Sequence, residues 1–250
     1  MNFKTSEINN WYLSRAGEIN QDLIINSINR IIIINSINKI LRPSFDKNIL
    51  YIGTERLTRE IMDKSYNFNS FYVSNSKGAD IKAELQNLPF QKSSIDRIVL
   101  IHSLEVEQNP HAAFREVNRV LADDGEIIIA GFNKTSFLGL YRLLPINSIF
   151  KNKVYINISR LIDWMSLFSY DVNSIFNINK IPPFKNNKFL EFLSFLNGNI
   201  FSKINYFGNS YVIFAKKNTF KFISVKNWHK KDNIILGKFS KPVVHNNYEK

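Results

Sequence analysis

A histidine and a glutamate follow the most apolar stretch in the middle of the sequence. This stretch, Ile98–Ile101, is the middle of "SIDRIVLIHSL", which is predicted to be a strand covered on both faces; His102 lies near the end of that strand, and Glu105 follows it. The carboxyl ends of parallel strands form the edge at which such sheets bind ligands. An imidazole at this edge could act as a general base or orient a substrate. It could equally be a packed, hydrogen-bonded wall residue, so His102 is a candidate catalytic residue with two interpretations.

A single glycine marks a second candidate site. Gly53 separates an apolar run from a helix-forming segment in "NILYIGTERLTREI". Glycine at such a turn lets the backbone approach a bound nucleotide, although a plain strand-to-helix turn has the same sequence. The next predicted strand, "SFYVSN", ends in Ser74 and Asn75. Both side chains can hydrogen-bond a hydroxyl group, but neither has the charge-assisted strength of a carboxylate.

Several other chemistries are unsupported by the sequence. There is no cysteine, so thiolate metal sites, disulfides and cysteine nucleophiles are excluded. The four histidines have no metal-ligand spacing, and we expect no metal. No phosphate-binding loop, G-x-S-x-G or zinc pattern occurs. The "IPPF" segment at Ile181–Phe184 is interpreted as a loop, because its two prolines oppose a helix.

Alternating strands and helices must position these residues. Apolar runs predict strands at "NILYIG", "SFYVSN", "GADIKA", "SIDRIVLIHSL" and "EIIIAGF", and later at "DVNSIFNIN" and "NSYVIFAKK". Between the fourth and fifth strands, Asn109 can cap a helix that has Pro110 in its first position. This alternation predicts an α/β fold with a doubly wound, largely parallel sheet.

The chain is long enough for one large domain with additions at its ends. Residues 1–47 are predicted to be an N-terminal helical segment of one helix or two. Residues 48–217 are predicted to be the α/β domain, with residues 133–206 as insertions that cover the substrate. Residues 218–250 are predicted to be a basic, flexible tail.

One segment carries a recognisable pattern of motifs. Within Ala83–Asn133 an acid precedes "LPF", a strand begins Ile-Asp, and a helix carries Arg-Glu-x-x-Arg-Val-Leu before an acidic turn. The matching residues are Glu84, Leu88-Pro89-Phe90, Ile95-Asp96, Arg115-Glu116, Arg119-Val120-Leu121 and Asp124-Gly125. In this joint spacing the segment resembles the type 11 group of class I S-adenosylmethionine (SAM) methyltransferases. Further stretches, "WYLSRAG", "GFNKTSFLGLYRLLP" and "RLIDWMSLFSYDV", resemble its proteobacterial YafS-like branch.

The resemblance implies a Rossmann-like seven-stranded sheet with a reversed last strand, "NSYVIFAKK". It also implies SAM as cofactor and methyl transfer to a small organic acceptor. By position in the family pattern, the cofactor-binding residues would be Gly53, Glu55, Ser74, Asn75, Glu84, Leu85 and His102. Glu84 would accept a hydrogen bond from the adenine amino group, and its alternative is a solvated loop acid.

This sequence departs from the family pattern at two places. The full glycine motif has an acid two residues before the first glycine and two further glycines, but Tyr51, Glu55 and Leu57 stand there. The acid expected at the end of the second strand is also missing. A catalytically silent protein with the same fold is therefore the alternative to an enzyme.

The charge of the chain raises a third, less favoured possibility. The formal net charge is +12, and nine lysines against Asp232 and Glu249 lie between Lys216 and Lys250. RNA contact through this tail is one interpretation, and a solvated surface in a lysine-rich and asparagine-rich chain is the other. No apolar run reaches the roughly 18 residues of a membrane span, and we expect a cytoplasmic protein.

The segments after the fifth strand are rich in aromatic residues. They are expected either to line an acceptor pocket or to be core contacts of helices on the sheet. These residues are Phe137, Leu140, Tyr141, Trp164, Phe168 and Phe184.

Overall fold

A seven-stranded sheet forms the centre of the molecule. The computed structural model describes residues 5–38, 47–64, 69–136, 155–179 and 208–218. The strands are β1 (Asn48–Gly53), β2 (Asn69–Ser74), β3 (Ile81–Lys82), β4 (Ile95–Ile101), β5 (Leu121–Phe132), β6 (Tyr170–Ile178) and β7 (Ser210–Lys217).

The strand order is β3-β2-β1-β4-β5-β7-β6. Strands β1 to β5 pair in parallel, and β7 runs antiparallel to both β5 and β6. The predicted doubly wound sheet with a reversed last strand is therefore confirmed. The chain winds outwards from β1 in one direction and from β4 in the other, so a crevice between their carboxyl ends is the expected ligand site.

Helices cover both faces of the sheet. They are α1 (Thr5–Trp11), α2 (Arg15–Asn38), α3 (Glu55–Lys64), a short 3-10 helix (Leu104–Val106), α4 (Pro110–Val120) and α5 (Ile158–Leu167). Side chains of α1, α2 and α3 share one core with residues such as Tyr51 and Val99. Side chains of α4 and α5 share the other core with residues such as Leu50 and Ile98. Consecutive strand residues point to opposite faces, which explains why the central strands are apolar at nearly every position.

The N-terminal segment forms two helices rather than one. Both pack directly on the sheet, because Ile8, Ile24 and Ile28 are buried with the strand residues. Of the described helices, none combines the length and the apolar content that a bilayer crossing requires.

The predicted cap of α4 is present. Asn109 Oδ1 accepts a hydrogen bond from the Ala112 amide at 3.1 Å, and Pro110 is the first helical residue. The helix ends at Val120, and β5 begins at Leu121 rather than after Gly125. This early start follows from pairing with β4, since Leu121 already lies opposite Ile95.

Candidate functional site

The turn after β1 requires a glycine. Gly53 has a φ of 144°, and a Cβ atom built on it would overlap the carbonyl oxygen of Ile101 in β4. The next amide, of Thr54, donates to that same oxygen at 3.1 Å. The end of β4 therefore lies directly against this turn, and packing between the two strands is sufficient to explain the residue.

A tyrosine from β2 reaches back to the same turn. The Tyr72 hydroxyl donates to the carbonyl oxygen of Gly53 at 3.1 Å, and the side chain is buried. Burial raises the pKa of this phenol, and the neighbouring side chains of Ser74 and Ser76 oppose the rise. The sequence analysis missed Tyr72, because nothing in an apolar strand distinguishes a residue that reaches along the sheet edge from an ordinary core residue.

The connection between β2 and β3 is held on α3. Residues 75–80 make this parallel connection, although such crossovers usually need about a dozen residues or more. Arg59 of α3 donates to Asp80 Oδ1 at 2.8 Å and to the Gly78 carbonyl oxygen at 2.7 Å. Asp80 also accepts from the Tyr72 amide at 2.8 Å. These contacts fix the connection over the start of α3.

Glu55 is the first residue of α3 and extends to this connection. Its carboxylate lies so close to Gly78 that a Cβ atom there would overlap Glu55 Oε1. Ser74, at the end of β2, accepts a hydrogen bond from the Ser76 amide at 3.3 Å. Asn75 is exposed. The structure thus brings Glu55 to the loop that follows β2.

The two other residues at positions of the family glycine motif lie elsewhere. Tyr51 and Leu57 are fully buried in the core shared with the N-terminal helices. Neither is part of the polar group formed by Glu55 and the β2–β3 connection.

Three buried hydroxyl groups near the ends of the central strands have no partner among the described residues. They are Thr54 Oγ1 after β1, Ser76 Oγ after β2 and Ser103 Oγ after β4. Thr54 is 0% exposed and Ser103 is 4% exposed. A buried hydroxyl without a partner is costly, so this edge is suited to a ligand with several polar groups.

The predicted adenine anchors lie further along the edge. Leu85 is buried in the core, whereas Glu84 is exposed and its carbonyl oxygen accepts from the Asn87 amide at 3.0 Å. The pKa of the nearby Glu107 is raised by burial and by the charge of Glu84, while a hydrogen bond from Gln86 at 2.9 Å opposes the rise. The sheet edge thus carries a polar group made of Glu84, Gln86 and Glu107. The sequence analysis did not predict Glu107 as part of it.

The motif residues on α4 hold the "LPF" segment. Glu116 Oε1 accepts from the Leu88 amide at 3.0 Å, and Arg119 donates to the carbonyl oxygens of Leu88 and Phe90 at 3.1 and 3.0 Å. Arg119 also donates to Glu116 Oε1 at 2.7 Å. This network explains why the two motifs occur together.

His102 lies at the end of β4 and is completely buried. Its Nε2 is 2.5 Å from the Tyr12 hydroxyl oxygen, and its Nδ1 is 3.3 Å from Glu105 Oε1. The ring stacks on Phe132 with centroids 4.0 Å apart, and the backbone has a φ of 52°. Both ring nitrogens are therefore engaged by protein groups.

The donor and the acceptor can be assigned for both hydrogen bonds of the His102 ring. Burial raises the pKa of the Tyr12 phenol well above its ordinary value, so the hydroxyl is neutral and can donate to His102 Nε2. The Tyr12 oxygen accepts from Asn20 Nδ2 at 3.3 Å, and Glu105 accepts from the Phe132 amide at 2.7 Å. This arrangement assigns the ring proton to Nδ1, where it can reach Glu105.

The "WYLSRAG" segment builds the turn that presents Tyr12. Ser14 Oγ donates to the Trp11 carbonyl oxygen at 2.6 Å and accepts from the Gly17 amide at 3.2 Å. A Cβ atom on Gly17 would overlap that same Trp11 oxygen. The motif was visible in the sequence, but its contact with His102 was not.

Two of the aromatic residues that were candidates for an acceptor pocket, Trp164 and Phe168, lie in the described part of the chain and pack against the core. Trp164 lies edge-on to His111, with centroids 5.2 Å apart, and Phe168 contacts Phe114 at 5.8 Å. Trp164 of α5 and Phe168, the residue that follows α5, therefore both pack on α4. The other four candidates, Phe137, Leu140, Tyr141 and Phe184, lie outside the described residues.

Comparisons with known proteins agree with this architecture. Residues 56–129 match the family described as "Methyltransferase domain". The protein YafS of Escherichia coli strain K12 is 35% identical over 105 residues, which are 41% of this chain and 43% of that protein. The match thus spans less than half the length of this relative.

Solved methyltransferases share the fold at low sequence identity. A SAM-dependent methyltransferase from Archaeoglobus fulgidus aligns with a TM-score of 0.54 and 15% identity, over 79% of this chain and 94% of that one. Another from Thermotoga maritima aligns with a TM-score of 0.52 and 19% identity, over 85% and 96%. Residues 56–129 thus match a methyltransferase domain, and the strand order is that of the fold shared by these solved SAM-dependent methyltransferases.

Proposed function

We propose that the protein binds SAM in the crevice between β1 and β4 and transfers its methyl group to a small organic acceptor. The observation that supports this proposal most directly is the set of buried, unpartnered hydroxyls of Thr54, Ser76 and Ser103 around that crevice. They match the needs of a cofactor that carries a ribose, an amino group and a carboxylate.

The candidate residues divide among the parts of the cofactor. Gly53 would lie against the methionine part, Glu55, Ser74 and Asn75 would face the ribose, and Glu84 and Leu85 would face the adenine. His102 would form the wall of the methyl-transfer position. When bound, SAM supplies an electrophilic methyl group on a charged sulfonium.

The contribution of the protein is alignment and exclusion of water. Methyl transfer requires acceptor, methyl carbon and sulfur in line, and positioning can supply much of the rate increase. The hydrogen bonds from Tyr12 and to Glu105 hold the His102 ring in one orientation. We therefore assign His102 the role of a fixed wall, because in this arrangement neither nitrogen is free to take a proton from an acceptor.

Calorimetric titration of the full chain with S-adenosylhomocysteine (SAH) tests the proposal. We expect saturable binding of one equivalent, with adenosine alone binding more weakly. Absence of heat at millimolar SAH would overturn it. Transfer of radiolabel from SAM to small molecules in a deproteinised extract would then establish the acceptor class.

A catalytically silent SAM-binding protein is the second candidate. Glu55 and Leu57 in place of glycines and the sealed surroundings of His102 favour it. Tight SAH binding without label transfer to any extract fraction would support this alternative.

The RNA hypothesis rests on the lysine-rich tail alone. Removal of residues 220–250 tests it, because RNA affinity should then fall sharply. Unchanged RNA affinity in the shortened chain would end the hypothesis.

A further inference from the structure

Two departures from the family pattern concern the same part of the structure. The sequence lacks an acid at the end of β2, where Ser74 and Asn75 stand, and it has Glu55 where the family pattern has a glycine. The structure places the Glu55 carboxylate against Gly78, in the connection that follows β2. The Glu55 carboxylate thus lies in the part of the sheet edge where the family pattern has the acid of β2.

The Glu55 carboxylate is available for a ligand. Within the described part of the chain, no protein group donates a hydrogen bond to it. The guanidinium of Arg59, in the same helix, uses Nη2 for Gly78 and Asp80, and its Nη1 lies 3.3 Å from Asp80 Oδ2. The charge of Arg59 and the start of the helix both favour the negative charge of Glu55 in this position.

Several hydroxyl groups lie in the segments next to Glu55. Thr54 precedes Glu55 in the chain, Ser76 belongs to the same connection as Gly78, and both hydroxyls are buried without partners among the described residues. Tyr72 joins them through its hydroxyl bond to the Gly53 carbonyl oxygen. A carboxylate with neighbouring hydroxyls is suited to a vicinal diol, which donates two hydrogen bonds to the carboxylate and accepts others.

We propose that Glu55 replaces the absent acid of β2 and binds the ribose hydroxyls of the cofactor. This inference rests on the proposed function, since it concerns the same cofactor. Both departures from the family pattern are then one exchange, in which the carboxylate stands in the first turn of α3, the helix that precedes β2, instead of at the end of β2.

Calorimetry with two ligands tests the assignment. SAH and its 2′-deoxyribose analogue are titrated into the wild-type chain and into Glu55→Gln. We expect the wild type to prefer SAH and Glu55→Gln to bind SAH roughly 10- to 100-fold more weakly. The variant should also lose most of the preference for the ribose ligand, because only a residue that contacts the hydroxyl distinguishes the two ligands.

Two further variants serve as controls. Asp63→Asn removes an exposed acid from the other end of α3 and should leave both affinities unchanged. Glu55→Gly combined with Ser74→Asp moves the carboxylate back to β2 and should recover SAH binding that Glu55→Gly alone loses. Thermal unfolding of each variant confirms that it is folded.

The outcomes separate the two proposals. If wild type binds SAH and Glu55→Gln keeps both the affinity and the ribose preference, the assignment of Glu55 is wrong and the proposed function stands. If wild type does not bind SAH, the proposed function fails and this inference fails with it.

Discussion

Gly53 illustrates how a residue of a cofactor motif can be required by packing alone. Its backbone conformation and the nearby Ile101 carbonyl oxygen leave no room for a side chain. The glycine would thus be needed even in a protein that bound no cofactor. Its presence in the sequence therefore supports the fold more strongly than it supports the site.

We expect Gly53→Ala to destabilise the protein by about 3 kcal/mol or more, because the new methyl group meets backbone atoms that cannot move aside. Urea unfolding measures the loss. Gly78→Ala is the matched control, since its methyl group would meet only the end of the flexible Glu55 side chain. Equal losses in the two variants would contradict this explanation.

A second residue-scale prediction concerns the phenol bound to His102. Tyr12→Phe leaves the buried His102 Nε2 without its donor, so we expect a loss of about 1–3 kcal/mol in the free energy of unfolding. Tyr170→Phe is the control, because the Tyr170 hydroxyl is buried without a partner among the described residues. That variant should be as stable as wild type. If the two variants behave alike, the Tyr12 hydrogen bond contributes nothing measurable.

At the scale of elements, α4 is joined to the segment that precedes β4. Glu116 and Arg119 bind the backbone of Leu88 and Phe90. The Arg-Glu-x-x-Arg-Val-Leu motif thus lies on α4, and the "LPF" motif lies in the loop that α4 binds. The loop also carries Leu85, so the network positions the predicted adenine side of the site.

This network predicts a pH dependence. The hydrogen bond from Arg119 lowers the pKa of Glu116 below its ordinary value of 4.5, and the Leu88 amide adds to the effect. A lowered folded-state pKa stabilises the protein above the unfolded-state pKa, and this stabilisation is lost as the pH falls through the folded-state value.

Glu116→Gln should therefore cost about 1 kcal/mol at pH 7 and progressively less below pH 4.5. Urea unfolding of wild type and variant at several pH values between about 3 and 7 measures the difference. Glu18→Gln, at an exposed ion pair with Arg15, should give a small difference throughout. A cost for Glu116→Gln that does not change with pH would contradict the role of its charge.

At the scale of the whole molecule, the N-terminal helices are part of the core. Ile8 and Tyr12 are buried against the sheet, and Trp11 lies edge-on to Phe132 with centroids 5.6 Å apart. The segment therefore completes the surroundings of His102, whereas the sequence indicated only an appended helical region.

Deletion of residues 1–14 should lower the melting temperature by more than 10 °C, because several large apolar side chains and the His102 bond are lost together. Deletion of residues 220–250 is the comparison and should change the melting temperature little. Thermal unfolding followed by circular dichroism measures both. A stable protein without residues 1–14 would show that the N-terminal helices are accessory.

The fold class was predictable from the sequence alone, and the resemblance to a methyltransferase family implied the reversed last strand. Those features depend on local patterns, such as apolar strands, the Asn109-Pro110 cap and the spacing of "LPF" and Arg-Glu-x-x-Arg-Val-Leu. The side chains that meet at the sheet edge were not predictable from the sequence and are known from the packing of the folded chain. Glu55 reaches Gly78, and Tyr12 meets His102 across 90 residues, because strand order and helix packing bring distant segments together. No local preference of the chain encodes such contacts.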